Sequence, residues 1–274
     1  MTAQMRRSTL RGVRTYERVS YTGTAVSNSV TRALRLLELI ADNDGAPMRL
    51  SALAAAIGAP KSSVHSILRS LVARRFLEPA DDGCYRLGIR AFEVGAAYSR
   101  HMSPTRAVHA ELLDLSHELK VTAHFAILDG PDVLYIEKED PPGPGIRVAS
   151  AVGARLPAHL TAVGKAALAY ADAPAISQVN LSVRGTSDRA LTRASLNDEL
   201  RQVRQDGYAV DDGETAAGIR CVASPVFDAR QRCCGAVGVS YLSSAELSSE
   251  AVAQRVHAAA HRTSQRLGAP GAAA

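Results

Sequence analysis

The apolar positions between Leu50 and Leu87 change period twice. Leu50, Leu53, Ala54 and Ile57 are spaced as one helical face, Gly58 interrupts them, and Val64, Ile67, Leu68 and Leu71 resume at offsets of three, four and seven. This predicts a short helix with Ser51 as its N-cap, a stop at Gly58, and a second helix over about 60–74, which Pro60 is suited to open. Residues 76–78 and 84–87 read as strands around an Asp82-Gly83 turn. Upstream, Val30, Ala33, Leu34, Leu37 and Ile40 line one side of a helix over 29–41, and a loop follows at 42–47. Three helices and a hairpin make a winged helix-turn-helix.

The pattern downstream is different. Residues 89–102 read as a connecting helix, Pro104 marks a boundary, and Val108, Leu112 and Leu115 share a face of a helix over 105–119. Strands are predicted at 122–129 and 133–138 around Gly130-Pro131, then at 146–151, 208–210, 219–227 and 234–241. Helices are predicted at 160–170, 191–205 and 248–267. The result is an α+β chain whose second part is a mixed, mostly antiparallel sheet with helices beside it. The expected domains are a disordered basic arm (1–27), the winged helix-turn-helix (28–90), a linker helix (91–102), an α+β domain (103–268) and a loose tail (269–274).

Composition narrows the class. With 46% apolar residues the chain can build a core, and no apolar run approaches the ~18 residues needed to span a bilayer, so no membrane partner is expected. Arg6, Arg7, Arg11, Arg14 and Arg18 are followed by no apolar stretch, which argues against a secretory signal. Cys84, Cys221, Cys233 and Cys234 lack C-x-x-C spacing and read as reduced thiols of a cytoplasmic protein. Charge is divided unevenly. Residues 1–101 hold fifteen Lys/Arg against eight Asp/Glu, or +7, whereas residues 102–274 hold seventeen against nineteen, or −2. Phosphate attraction is therefore expected of the first part alone.

The second helix of the helix-turn-helix carries the candidate chemistry. Ser62, His65, Ser66 and Arg69 repeat on one face, with Lys61 at the helix start. Such a face suits a DNA major groove. Ser62, Ser63, His65 and Ser66 are placed for base edges or nearby phosphates, and Lys61, Arg69, Arg74 and Arg75 for phosphates. Arg86 on the wing and Arg32 on the first helix are candidates for flanking backbone. One such domain makes few base contacts, so a dimer reading two half-sites of double-stranded DNA is expected. The alternative is a helical hairpin whose polar face is merely wet.

In the second part, Thr161 can cap a helix whose first turn is Ala162, Val163 and Gly164, leaving backbone N–H groups for an anion. Asp211, Asp212 and Glu214 precede a glycine-hinged strand, and Ser240 lies on a late strand. If these segments converge they make a small polar pocket. The competing readings are helix packing for the Ala/Gly start, a solvated turn for the Asp pair, and an in-strand hydrogen bond for Ser240. Catalysis by His159, Cys221 and Asp211 is not expected, because nothing in the sequence brings them together. His101, His109, His117 and His124 do not repeat on one face, so neither a metal site nor a cofactor is expected, and a metal- or redox-responsive regulator, the latter through Cys233-Cys234, is the alternative reading.

Five segments together resemble the IclR family of bacterial transcriptional regulators over about 28–268: SVTRALRLL from Ser29, IGAPKSSVH from Ile57, YRLG from Tyr85, LTAVGKA from Leu160 and GIRCVASPV from Gly218. The resemblance implies a winged helix-turn-helix, a linker helix and a C-terminal GAF/PAS-like effector domain. It also implies dimers or tetramers, and repression or activation controlled by a small molecule, often a carboxylic acid. Carried over, the effector pocket falls on Ala162, Val163, Gly164, Asp211, Ile219, Cys221, Gly238 and Ser240, with Ile146 as an apolar wall. Members that bind small keto acids tend to have serine where this chain has Gly238, and a smaller residue at Ala162 or Val163. His65-Ser66 stands where many members have His/Tyr-Arg, and Arg is the commonest specific base reader.

Overall fold

The computed structural model describes residues 29–43, 45–101, 103–142, 151–186 and 191–270. The expected arm at 1–27, Ile146 with most of the strand expected at 146–151, and the end of the tail lie outside them. Contacts divide the chain between Ala97 and Tyr98.

The N-terminal unit contains α1 (Ser29–Ala41), β1 (Met48–Arg49), α2 (Leu50–Ile57), α3 (Lys61–Ala73), β2 (Leu77–Ala80) and β3 (Cys84–Leu87). Leu36, Ile40, Leu53, Val64, Leu68 and Leu77 form its core. α1 has two apolar rows: the core takes Ile40 as expected, with Leu37 packed against it, but also Leu36, while Val30 and Leu34 of the expected stripe stay 65% and 57% exposed. Ser51 is not the cap of α2 either. The helix begins at Leu50 behind Arg49, which makes no side-chain cap bond. Its start is set by β1, a strand too short to show a pattern, which pairs antiparallel with β3 through Met48–Tyr85 and Arg49–Cys84.

Gly58 ends α2 at φ 63°, ψ 38°, with its N–H reaching the Ala54 and Ala55 carbonyls. The wing turns through Asp82 and Gly83, both at positive φ. After β3, Gly88 lies so close to the Arg75 carbonyl that a Cβ would collide with it. The connecting helix is α4 (Ile89–His101), and the division between units falls inside it.

The C-terminal unit contains α5 (Ser103–Leu119), β4 (Thr122–Asp129), β5 (Asp132–Glu139), β6 (Arg155–Pro157), α6 (Ala162–Leu168), α7 (Ala173–Ser177), α8 (Arg193–Asp206), β7 (Ala209–Asp212), β8 (Ile219–Phe227), β9 (Cys233–Leu242) and α9 (Ser249–Arg266). Six strands form one sheet in the order β6-β5-β4-β9-β8-β7. Every pairing in it is antiparallel, so the expected mixed sheet is antiparallel throughout. The sequence pattern did not reveal the short β6 and α7. α7 carries its own signal, an Asp172 cap with Pro174 in the first turn.

Helices cover both faces. Val108, Leu112 and Leu115 of α5 and Val252 and Val256 of α9 pack on Ala123, Phe125, Val237 and Val239. Across the sheet, Ala162, Val163 and Ala166 of α6 and Leu196 and Leu200 of α8 pack on Ala126, Tyr135, Ala223 and Ala236. A buried carboxylate ties α5 to α9: Glu111 accepts from Arg262 Nε at 2.9 Å and Nη2 at 2.6 Å, and Arg266 reaches its other oxygen at 2.9 Å.

Leu68 is fully buried at the centre of the N-terminal core. Leu68→Ala is expected to cost about 2–5 kcal/mol in urea unfolding, and Leu68→Met less than about 1.5 kcal/mol. Equal losses would place Leu68 outside the core.

Candidate functional site

The first candidate site is the outward face of α3. Lys61, Ser62, His65, Ser66 and Arg69 are exposed, whereas Ser63 is half-buried beside Val64. The helix start is unencumbered: Pro60 precedes it, and no side chain caps it. Arg74 and Arg75 are exposed at the other end, about 20 Å from Lys61 for a helix of this length. Arg75 holds φ 60° in the turn that leaves α3. On the wing, Arg86 pairs across the hairpin with Glu78 at 3.1 Å. Such an exposed pair is worth at most about 1 kcal/mol, little obstacle to a phosphate. Arg32 is half-buried on α1. Five arginines of the basic half precede Ser29, which leaves ten Lys/Arg against seven Asp/Glu over residues 29–101.

The second candidate site is the sheet face beneath α6. Register aligns its residues in two rungs. One runs Asp211, Cys221, Ser240, Thr122 across β7, β8, β9 and β4. The next runs Ala209, Ala223, Gly238, His124, Lys138 and reaches β5. Asp211, Cys221, Gly238 and Ser240 therefore converge as expected, and Ile219 follows at the head of β8 opposite Leu242. Ala162 and Val163 lie buried over this face. A Cβ on Gly238 would stand 2.8 Å from Val163 Cγ1, 3.0 Å from His124 Nε2 and 3.1 Å from Ala223 Cβ. The space that a side chain at position 238 would need is taken by Val163, His124 and Ala223.

Two of the expected site residues are engaged within the chain. Thr161 caps α6 as anticipated, but it does so by accepting the Gly164 N–H at 3.0 Å, so that donor is already engaged. Gly164 also abuts Ala158 with no space for a side chain, so it serves close packing. Asp211 is not a solvated turn residue. It is buried, and its carboxylate accepts from the Glu214 N–H at 2.6 Å, from the Thr215 N–H at 3.4 Å and from the Thr215 hydroxyl. These bonds hold the loop between β7 and β8. Asp212 does face solvent, paired with Arg220.

Electrostatics follow from burial. Desolvation raises the Asp211 carboxyl, although its hydrogen bonds oppose the shift. Burial and then the Asp211 charge push the Cys221 thiol up to about 12, and its sulfur lies 3.1 Å from Ser240 Oγ. A thiol of that kind is a hydrogen-bonding group rather than a nucleophile. His159 bonds the Val183 carbonyl at 3.1 Å instead of serving Cys221. Nearby, buried Lys165 reaches Glu214 at 2.5 Å, Glu199 at 3.4 Å and the Val210 carbonyl at 3.2 Å. A cleft of about 320 Å³ opens at the end of the first rung, bordered by Thr122, Ser240, Leu119, Tyr241 and Leu247.

Sequence reasoning missed His124 and Tyr135. His124 is fully buried, edge-on to Tyr135 at 5.2 Å between ring centroids, and its Nδ1 has no partner among the described residues. Alternation along 122–126 could have put His124 on the face of Ala126, but its pairing with Gly238 joins segments 114 residues apart.

A basic winged helix-turn-helix and a helix-covered sheet with a buried polar rung define a class, the transcriptional regulator with a DNA-binding and a ligand-sensing unit. Residues 29–81 match the IclR helix-turn-helix domain, and residues 96–267 match the bacterial transcriptional regulator IclR C-terminal domain. The chain belongs to the IclR family. It is 32% identical over 223 residues to the HTH-type transcriptional regulator XynR of Escherichia coli, covering 80% of this chain and 88% of that one. It is 31% identical over 218 residues to the Transcriptional repressor IclR of the same organism, covering 77% and 79%. The crystal structure of an IclR homologue from Microbacterium hydrocarbonoxydans, complexed with 4-hydroxybenzoate, has the same fold at a TM-score of 0.78 and 21% identity, covering 88% of this chain and 99% of that one. The chain is thus a ligand-responsive DNA-binding regulator rather than an enzyme. No helix among the described residues is long and apolar enough to cross a membrane.

Burial and the nearby Lys138 hold the His124 ring at about 4, well below the usual 6.5. The unfolded chain therefore takes the proton first, and stability is lost as pH falls from 6.5 towards 4. Urea unfolding is expected to show about 2 kcal/mol of loss from this residue between pH 7 and 5, absent in His124→Gln. The same pH slope in both proteins would refute the assignment.

Proposed function

We propose that the chain is a repressor of a catabolic operon that senses a small carboxylic-acid metabolite. In this reading the winged unit (28–90) reads cytoplasmic operator DNA as a homodimer or a dimer of dimers, and the unit after the linker helix (103–268) binds the effector. The observation that carries the DNA half is the exposed face of α3, bare at its N-terminal end and lined by Lys61, Ser62, His65, Ser66 and Arg69. Half-buried Ser63 contributes at the groove edge, and Arg32, Arg74, Arg75 and Arg86 hold flanking phosphates.

The effector half rests on the aligned rung. Ser240 and Cys221 bond each other at 3.1 Å, which leaves one O–H or S–H of the pair to donate to a guest; Ala162 and Val163 cover them, and Ile219 and Gly238 flank them. An acid bound there accepts from that remaining donor. Asp211, engaged by Glu214 and Thr215, positions the β7–β8 loop rather than contacting the acid. Ile146 is retained as the apolar wall on the strength of the family resemblance alone. Repression is supported by the kinship with a transcriptional repressor.

Two measurements test this. Against an operator obtained by in vitro selection, Lys61→Ala and Arg69→Ala should each weaken binding at all sequences and lower the salt slope by about one, whereas His65→Ala should relax preference at one position. Unchanged anisotropy titrations for all three would overturn the reading face. In a thermal-shift panel of short keto, hydroxy and aromatic acids, at least one acid should raise the melting temperature and change operator affinity. Ser240→Ala should abolish both effects. A panel without response, or a response that survives Ser240→Ala, would overturn the effector site.

A further inference from the structure

His109 lies on α5, and Glu137 and Glu139 lie on β5, on the sheet face that α5 covers. Strand alternation puts the two carboxylates on one side and Lys138 on the other, where Lys138 pairs with Asp140 at 3.2 Å. His109 Nδ1 lies 2.6 Å from Glu137 Oε1 and 3.7 Å from Glu139 Oε1. One ligand atom from each of the three residues falls within 4.8 Å of the other two. The second oxygen of Glu137 is buried without a hydrogen-bond partner among the described residues.

A protonated imidazole against one carboxylate accounts for the 2.6 Å contact. It leaves a second carboxylate converging on the same nitrogen and a buried oxygen unmet. A divalent cation meets the convergence of two carboxylates on one imidazole, and it also offers the second Glu137 oxygen a charge to face.

We propose that His109, Glu137 and Glu139 bind one divalent transition-metal ion, for which Zn²⁺ is the best match. One imidazole and two carboxylates are a borderline donor set that suits zinc, whereas Mg²⁺ and Ca²⁺ favour six or more oxygen ligands. Tetrahedral zinc with ligands at about 2.1 Å separates neighbouring ligand atoms by about 3.4 Å. Small rotations of the glutamates provide this, and the ion replaces the proton on Nδ1. A water completes the shell from the exposed side, where His109 is half open to solvent. The ion joins α5 to β5 on the face opposite the Asp211–Cys221–Ser240 rung, so it is distinct from the effector site. The histidines along α5 do not assemble this site, because two of its three ligands come from the strand.

The test uses the full chain stripped with a chelator. Calorimetric titration with ZnCl₂ should show one ion per chain, and the melting temperature should rise with zinc but not with equimolar MgCl₂ or CaCl₂. His109→Gln and Glu139→Gln should each lose roughly tenfold or more in zinc affinity, and Glu139→Gln, which leaves the His109–Glu137 bond in place, should keep the zinc-free melting temperature. Absence of stoichiometric binding in the unmodified chain, unchanged affinity in both variants, or an equal response to Mg²⁺ would overturn the proposal. Because the variants leave Ser240 and α3 intact, a failed zinc site would not alter the carboxylate or operator responses.

Discussion

How closely α6 can lie against the sheet governs the effector side of this protein. The strands beneath it carry Ala209, Ala223, Ala236, Gly238 and Ala126, and the helix itself contributes Ala162, Val163 and Ala166. Larger residues on either surface would lift the helix. Small ones let Val163 come down onto Gly238, where even one added carbon would be crowded. Dispersion and area burial favour this contact. Its consequence is that Asp211, Ser240 and Thr122 of the neighbouring rung lose water together, and Cys221 in large part.

That desolvation explains the chemistry of the site. A buried carboxylate survives only if its lone pairs are engaged, and Asp211 is engaged by Glu214 and Thr215, which are the residues of the loop it closes. A buried thiol stays protonated, and Cys221 pairs with Ser240 rather than acting as a nucleophile. A buried imidazole stays neutral, and His124 does so beside Lys138. Asp211, Cys221 and Ser240 are therefore engaged within the chain: Cys221 is no activated nucleophile, and His159 serves the Val183 carbonyl rather than a reacting group.

Legibility in the sequence tracked the range of the interaction. The polar face of α3 depends on offsets of three and four within one helix, and the structure presents Lys61, Ser62, His65, Ser66 and Arg69 outward as that periodicity requires. The Gly58 stop and the Asp82-Gly83 turn are equally local. Errors arose where a distant partner decides. α1 offers two apolar rows, and only the packing of α2 and α3 selects Leu36 over Val30 and Leu34. Ser51 lost the cap because a two-residue strand, paired with β3, fixes where α2 begins. Gly164 looked like an open anion donor until the Thr161 hydroxyl took its N–H. The place of His124 in the sheet was not legible because it depends on register between β4 and β9, and a shift of one residue would send it to the opposite face.

The reading face of α3 carries a physical consequence of its own. Serines and one histidine form single, geometrically tolerant hydrogen bonds, whereas arginine forms a bidentate pair with guanine. The fixed cations, Lys61 and Arg69 with Arg74 and Arg75 at the far end, suit phosphates, and only ten Lys/Arg stand against seven Asp/Glu over residues 29–101. Affinity from one such unit is therefore modest, and discrimination by direct contact is weaker still. An operator recognised this way must gain specificity from two half-sites at fixed spacing and from the deformability of the DNA between them. The same modesty makes the unit easy to regulate. In the proposed dimer, where each half-site contributes little alone, an effector that changed how two copies are presented to the duplex would need only a small shift to alter operator occupancy.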